Sequence, residues 1–370
     1  MSATNKLAQT KVQRVCLQQV IIPDYRLKLF HLMKQSFGDL FKSYAGDSDF
    51  GGSPCSDPTA WAEFDQVENH YILGGRFLWQ VGCVRNLIDA DVAILNGNMR
   101  TLSNLWVQFM RKWLGRRTIL WGHAEGQSGL AATMRPLYLF FCDGFIAYTE
   151  SQAKMLRMRH PSLKVWVAAN SSVSATDCVP VEATHDEVDS ILYVGRLVEK
   201  KKVRLLLEGY IRAQKDSLLA ENIRLVFVGA GAERQHLEAR AEAAGVANKV
   251  QFTGHVSDIS KLRDYYRRAI CSVSPGYVGL SATQSFSFGV PMLIARDEFH
   301  SPEIEACKKG FNAEFFDSNN SQSMAEGLQR MTMQKEVGRS KREEVSEWTA
   351  SHYSFEAMLD AFVGAVDGEQ

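Results

Sequence analysis

The sequence predicts two α/β domains, each built on a doubly wound parallel sheet. Three features point to it. Both halves of the 370-residue chain alternate short apolar or β-branched runs with amphipathic helical stretches. The short runs are continuously apolar, as in strands covered by helices on both faces, rather than alternating as in a half-exposed sheet. A polar stretch without periodicity, SSVSATDCVPVEATHDEVD (171–189), separates halves of opposite charge: residues 1–180 carry 19 basic and 14 acidic side chains, the remainder 23 and 28. The expected division is a first domain 1–175, a linker 176–189, a second domain 190–347 and a C-terminal segment 348–370.

In the first half VCLQQVII (15–22), DVAIL (91–95), TILW (118–121), FIAY (145–148) and KVWVA (164–168) are the expected strands. PDYR (23–26) follows the first of them, and Tyr25 and Arg26 either border a ligand site or cap the first helix. The loop YAGDSDFGGSPCSDPTAWAEFD (44–65) is long for a compact domain, which marks it as disordered or functional. MRTLSNLWVQFMRKWLGRR (99–117) has apolar residues at 102, 105, 106, 109, 110, 113 and 114, together with five basic residues and no acidic one. Two readings fit it: a helix on an anionic membrane surface, or a core helix with its basic end in water.

In the second half ILYVG (191–195), IRLVFVG (223–229), KVQFTG (249–254), AICSVS (269–274) and PMLIA (291–295) are the expected strands. Ligands of such sheets bind beyond the carboxyl ends of the strands, so the residues after each strand matter most. After the first come Gly195, Arg196 and Lys201, two cations suited to a diphosphate or to a solvated turn. After the second, Gly229 and Gly231 permit close backbone approach. His255 and Val256 end the third strand, before a helix that Asp258 starts. After the fourth, SPGYVGLSATQSFSFGVPML (274–293) combines a glycine-rich turn with a helix whose N–H groups near Gly279, Leu280 and Ser281 suit an anion. After the fifth, HSPEIEA (300–306) puts Glu303 and Glu305 in a first helical turn, where a carboxylate serves either the helix dipole or a ligand.

Composition narrows the function classes. The chain has 42 basic and 42 acidic residues and is 45% hydrophobic, which excludes a disordered chain and argues against a nucleic-acid partner. No apolar run is long enough for a transmembrane helix, and the N-terminus lacks the apolar core of a signal peptide, so a cytoplasmic protein is expected. Seven scattered cysteines without a CxxC pair read as reduced thiols. No HExxH or zinc-finger spacing is present, so neither metal nor cofactor is expected.

Together these stretches resemble the donor half of a GT-B glycosyltransferase of family four. ILYVGRLVEKK is similar to that family's GRL-x-x-x-K element, VGAGAERQHLEARAEAAGVANKVQFTGHVS to its VGxGxxxxxL…VxFxGxV segment, and GLSATQSFSFGVPM to its GL-x-x-x-E-A-x-x-x-G-x-P helix. The likeness covers about 190–310 strongly and extends more loosely over TILWGH (118–123), AYTESQAKML (147–156) and VAANSSV (167–173).

The resemblance implies two Rossmann-like domains facing across a cleft, with WTASHYSFEAMLDAFVGAV (348–366) crossing back to the first. It implies a nucleotide-diphosphate sugar on the second domain and a glycan or lipid-linked acceptor on the first. Transfer would be retaining and metal-independent, in polysaccharide assembly, at the cytoplasm or the inner membrane face. Arg196 and Lys201 would neutralise the departing diphosphate, His123 contact the donor sugar, Gln284 hold the ribose, and Val256 offer backbone to the base. Tyr25 and Arg26 would border the acceptor.

The family's E-x7-E pair is absent: Gln284 stands at the second glutamate, and the first has no counterpart in the short loop Gly276-Tyr277-Val278. Glu303 is a candidate replacement. The missing pair keeps a rival open, a catalytically silent binding protein of the same fold. A nicotinamide oxidoreductase is disfavoured, because the first half holds no G-x-G-x-x-G.

Overall fold

The computed structural model describes residues 13–52, 55–123, 130–183 and 187–369. The chain forms two compact units, 1–169 with 355–370 and 170–354.

The first unit runs β1 (Val15–Gln18), α1 (Leu27–Phe37), β2 (Phe41–Ala45), β3 (Asp65–Gln66), β4 (Glu68–Ile72), β5 (Phe77–Val81), α2 (Val84–Asp89), β6 (Val92–Asn96), α3 (Leu102–Trp113), β7 (Arg117–Gly122), α4 (Leu130–Phe140), β8 (Gly144–Ala147), α5 (Glu150–Arg159) and β9 (Lys164–Val167). Seven strands form one parallel sheet in the order β3-β2-β1-β6-β7-β8-β9, and β4 and β5 form an antiparallel hairpin. Every residue of β1 and β8 is buried, as continuously apolar strands require. The order reverses at β1/β6, where connections leave in opposite directions and open a crevice at the strand ends.

Helix α3 contradicts the expectation of an apolar stripe packed on the sheet. None of its seven apolar positions is buried; Trp106, Phe109, Trp113 and Leu114 are exposed. The buried face is instead Ser103, Asn104, Val107, Gln108 and Arg111. Arg111 is wholly enclosed and donates to the carbonyls of Leu87 (2.6 Å), Ile88 (3.1 Å), Ala90 (2.8 Å), Asp91 (3.2 Å) and Arg117, and to Thr118 Oγ1 (3.0 Å). Burial pushes its guanidinium down to about 10, still charged at neutral pH. Asn104 Nδ2 donates to Gln18 Oε1 (2.7 Å) and to the Asn96 carbonyl (3.1 Å), tying α3 to the ends of β1 and β6.

The second unit runs β10 (Ser190–Val194), α6 (Val203–Lys215), β11 (Arg224–Val228), α7 (Arg234–Ala243), β12 (Val250–Gly254), α8 (Ile259–Arg268), β13 (Ala269–Ser274), α9 (Ser281–Ser287), β14 (Met292–Ala295), β15 (Ala313–Phe316), α10 (Ser321–Met333), α11 (Lys335–Ser340) and α12 (Arg342–His352). Its six strands are parallel in the order β12-β11-β10-β13-β14-β15, reversing at β10/β13. Asp258 caps α8 as its sequence position suggests, accepting from Ser260 N (2.8 Å) and Lys261 N (3.3 Å).

The domain boundaries fall elsewhere than expected. The described part of 176–189 belongs to the second unit, where Val181 and Val188 are buried and Arg342 donates to the Val181 carbonyl (3.1 Å). Two valines anchor a segment whose polar composition reads as a tether. Residues 348–352 complete α12, which packs on α9, and the chain breaks at Tyr353–Ser354. Only α13 (Phe355–Asp367) returns to the first unit, where Phe362 meets the Trp121 ring edge-on at 4.8 Å and Arg117 donates to the carbonyls of Ala365 (2.5 Å) and Val366 (2.6 Å).

Replacing Arg111 with leucine strands several buried carbonyls without a donor. Urea denaturation of Arg111→Leu is expected to show a loss of about 3 kcal/mol or more, and a loss within about 0.5 kcal/mol would show the carbonyls are satisfied otherwise.

Candidate functional site

In the second unit the turns after β10 and β11 are joined backbone to backbone. Gly195 N donates to Val228 O (3.0 Å), Leu197 N to Ala230 O (2.8 Å), Glu233 N to Leu197 O (3.0 Å) and Gly229 N to Gly254 O (2.8 Å). A Cβ at 229 would overlap the Gly195 carbonyl, and one at 231 the Leu197 carbonyl. Both glycines have φ near +155°, a region closed to other residues (153° and 156°). The close approach expected of these glycines is therefore first an approach of one turn to another. Glu233 locks the second turn through a two-pronged ion pair with Arg204 of α6.

The switch point β10/β13 brings several of the candidates together. Lys201 Nζ donates to the Tyr277 carbonyl (3.2 Å), lies 3.6 Å from the centre of that ring, and sits 3.9 Å from where a Gly279 Cβ would be. Gly276 lies against the Lys200 and Lys201 backbone, at 2.9 and 3.1 Å from a modest side chain's first carbon. Lys201 has its pKa lowered, chiefly by burial and also by the nearby Arg196; Tyr277 and Glu303 oppose that shift. Arg196 is exposed, and its carbonyl accepts from Tyr193 Oη (2.9 Å). Lys201 thus lies directly against the loop 276–279, with Arg196 and Glu303 each within electrostatic range of it.

Glu303 is buried in the short helical turn Pro302–Ala306, with Oε1 accepting from Asn170 Nδ2 (2.7 Å). Ser301 precedes that turn and donates its N–H to the Val278 carbonyl (3.1 Å), so the 300s segment is stitched to the same loop. His300 Nδ1 accepts the Val278 N–H (3.0 Å), which leaves the proton on Nε2. Leu280 and Ser281 lie half-buried at the start of α9, which begins two residues later than Gly279. Gln284, one turn on, accepts weakly from Tyr266 Oη (3.4 Å). His255 is exposed beyond β12, while the Val256 side chain packs on the cluster around Val181 and Leu192.

The other candidates, His123, Tyr25 and Arg26, meet in the first unit. They line a cavity of about 540 Å³ at the carboxyl ends of β1, β6 and β7, the reversal point of that sheet. Arg26 Nη2 donates to Tyr148 Oη (3.0 Å), and its guanidinium lies 4.7 Å from the Trp121 ring and 5.6 Å from that of Tyr25. His123 lines the cavity and packs on Tyr148 with ring centres 4.9 Å apart. Its pKa is lowered by desolvation, then by Arg26 and Arg135, so at neutral pH the ring is uncharged. The long loop contributes Asp49, and a serine within it, Ser56, bonds Ile22 N (2.8 Å) and the Gly46 carbonyl (2.6 Å).

Sequence reasoning missed Arg100, Arg135, Gln19 and Asn96, which line the same cavity. Arg135 sits mid-helix with nothing in its neighbours to mark it. Asn96 and Gln19, joined by a 3.2 Å bond, are strand-end amides whose partnership only the β1/β6 pairing creates. Tyr277 and His300 were passed over for the same reason.

Residues 180–348 match the family described as glycosyl transferases group 1. That segment is similar to the group 1 glycosyl transferases. The likeness to solved structures spans the whole chain. The lipopolysaccharide outer core galactosyltransferase WaaB in its apo form is 15% identical with a TM-score of 0.66, covering 96% of this chain and 99% of that one. HepE of Anabaena, in complex with UDP, is 13% identical at 0.68, again covering 96% and 99%. A glycosyltransferase from Rickettsia africae is 12% identical at 0.67, covering 95% and 97%. Identities this low establish the fold, which is GT-B. No curated protein sequence matches the chain. The matched segment holds the candidates from Gly195 to Glu303, and His123 lies outside it.

Gly229→Ala forces a strained φ and a clash with the Gly195 carbonyl; thermal unfolding is expected to show at least about 2 kcal/mol lost. For His123, an NMR pH titration of the imidazole is expected to give a midpoint below the usual value of 6.5. Arg26→Gln removes a repelling cation and raises that midpoint; no movement would place Arg26 outside its field.

Proposed function

We propose that the chain is a glycosyltransferase that moves a hexose-type sugar from a nucleotide-diphosphate donor to a glycan or lipid-linked acceptor, with retention and without a metal, in polysaccharide assembly. The observation that carries this is Lys201, held by the Tyr277 carbonyl and ring against the loop 276–279 at the reversal point of the second sheet, with Arg196 near enough to lower its pKa. Two cations there stabilise the charge that develops on the departing diphosphate, and a preset donor of that kind typically contributes about 2.7–4 kcal/mol. Glu303, held by Asn170 beside the same loop, is the carboxylate that stands in for the absent first glutamate at the donor sugar. Gln284 bonds the ribose as an amide, Val256 meets the base through its backbone, and neutral His123 contacts the donor sugar. Tyr25 and Arg26 border the acceptor. HepE has been solved with UDP and with UDP-glucose, which supports a nucleotide-sugar donor here.

The outward aromatic face of α3 favours contact with an anionic membrane surface. Trp113 is 77% exposed and Phe140 on α4 66% exposed, with Phe141 linking Phe109 and Phe140 into one patch and Lys112 5.9 Å from the Phe140 ring. Tryptophan, phenylalanine and lysine together suit a headgroup boundary. No helix among the described residues is long and apolar enough to cross a membrane. Vesicle sedimentation is expected to show binding that rises with phosphatidylglycerol and falls at least tenfold in the Trp113→Ser, Phe140→Ser double variant.

A thermal-shift panel of UDP-, GDP-, ADP- and dTDP-sugars is expected to raise the melting temperature with one base class, because a ligand that binds only the folded state stabilises it. Arg196→Ala and Lys201→Ala are each expected to lower kcat by about 10²–10³. A protein that binds a sugar nucleotide tightly and turns over neither by transfer nor by hydrolysis is the catalytically silent rival.

A further inference from the structure

The long loop 44–65 is fastened on both sides of Asp49. The Ser48 carbonyl accepts from Asn69 Nδ2 (2.9 Å) and from Tyr71 Oη (2.5 Å). The Phe50 ring meets that of Tyr71 edge-on at 5.4 Å, and the Arg100 guanidinium lies 3.9 Å from its centre. Arg100 is in turn directed by the carbonyls of Arg76 (2.7 Å) and Gly75 (2.8 Å). Asn69 reaches Ser48 because residue 46 is glycine; a Cβ there would overlap the Asn69 amide at 2.1 Å. Asp49 is thereby held at the cavity of about 540 Å³, where it is the one carboxylate among the described lining residues. That carboxylate carries no hydrogen bond and no ion pair among the described residues. Its charge adds to burial in raising the pKa of Tyr71.

The amide of Asn69 also begins a chain that ends in the cavity wall. Its Oδ1 accepts from Gln80 Nε2 (2.8 Å), Gln80 Oε1 from Gln18 Nε2, and Gln18 Oε1 from the Asn96 N–H (3.0 Å). Asn96 Nδ2 then donates to Gln19 Oε1 (3.2 Å), and Asn96 Oδ1 accepts the Asn98 N–H (2.9 Å). Gln19, Asn96 and Asn98 all line the cavity. Gln19 is 3% exposed, and its Nε2 is enclosed without a hydrogen-bond partner among the described residues. Buried donors are seldom left so, and one that borders a cavity is a place for a ligand's acceptor atom.

The chain of amides therefore leaves an acceptor open at Asp49 and a donor open at Gln19. Hydroxyl groups answer both, since each can donate and accept. An anionic ligand would be repelled by Asp49 and a cationic one by Arg100, which lines the same cavity. A neutral sugar meets neither penalty.

We infer that Asp49 and Gln19 select the acceptor, a neutral sugar that donates one hydroxyl to the Asp49 carboxylate and presents another to the Gln19 amide. The inference rests on the reading of the first unit as the acceptor half and names the acceptor's chemical class.

The test uses the full chain. Methyl glucoside, galactoside and mannoside, each beside its uronate and its 2-amino analogue, are titrated to about 100 mM and followed by saturation-transfer NMR. At least one neutral sugar is expected to saturate, and to bind more tightly than its two charged analogues. Asp49→Asn is expected to weaken that sugar at least fivefold at an unchanged melting temperature, because a bond to an ionised acceptor is roughly twice as strong as a neutral one. Gln19→Glu keeps the bond from Asn96 but turns the open donor into an acceptor, and is expected to weaken it as much; should that variant misfold, Asp49→Asn decides. A charged analogue that matches its neutral parent, unchanged binding in Asp49→Asn, or no saturation by any neutral sugar overturns the inference. Nucleotide-sugar thermal shifts are measured on the same samples; their absence would sink the donor reading and leave the glycoside result standing.

Discussion

Lys201 reaches from the turn after β10 to the loop after β13, and the donor-side arrangement depends on that reach. The two segments are far apart in sequence and adjacent only because the strand order reverses between them. Its ammonium is held by a carbonyl and a ring face, partly out of water, so it meets the loop as a preset charge. Were the lysine solvated, it would have to shed water to meet an anion; here much of that cost has been met in folding.

The same topology makes the first site, with a different chemical solution. There the cations are arginines, and rings and carbonyls set them in place. A planar guanidinium can be clamped on its face and on some of its five N–H groups and still present the rest. Lysine offers no such division of labour. Burial first, and then the charges of Arg26 and Arg135, keep the histidine beside them neutral at pH 7.

Helix α3 shows what periodicity measures and what it leaves out. The seven apolar positions do share one face, as their spacing requires, yet that face looks outward. The opposite face is filled by Asn104 and Arg111, which bond strand ends and carbonyls that would otherwise be unsatisfied. An amphipathic pattern defines two faces without saying which is covered; the partner surface decides. Here the partner surface is rich in carbonyl groups, and donors meet it better than methyl groups do.

The chain's own order of residues determined a good deal. Ten strands were legible within a residue or so, except that β1 ends at Gln18 rather than at 22, because buried parallel strands need uninterrupted apolar runs. Arg196, Lys201 and Gly279 were legible as neighbours of strand ends, because each follows its strand closely in the sequence. The strands β2 and β15 and the hairpin β4–β5 were not, since FKSYA, AEFF and ENHYI carry too little apolar continuity to separate from loop. Nor were the boundaries at 169 and 354, which depend on where Val181 and α12 pack rather than on polarity. Tertiary structure alone decided which side of α3 faces water and which arginines share a cavity. Both depend on surfaces meeting across long stretches of chain, and local composition holds no record of the surface on the other side.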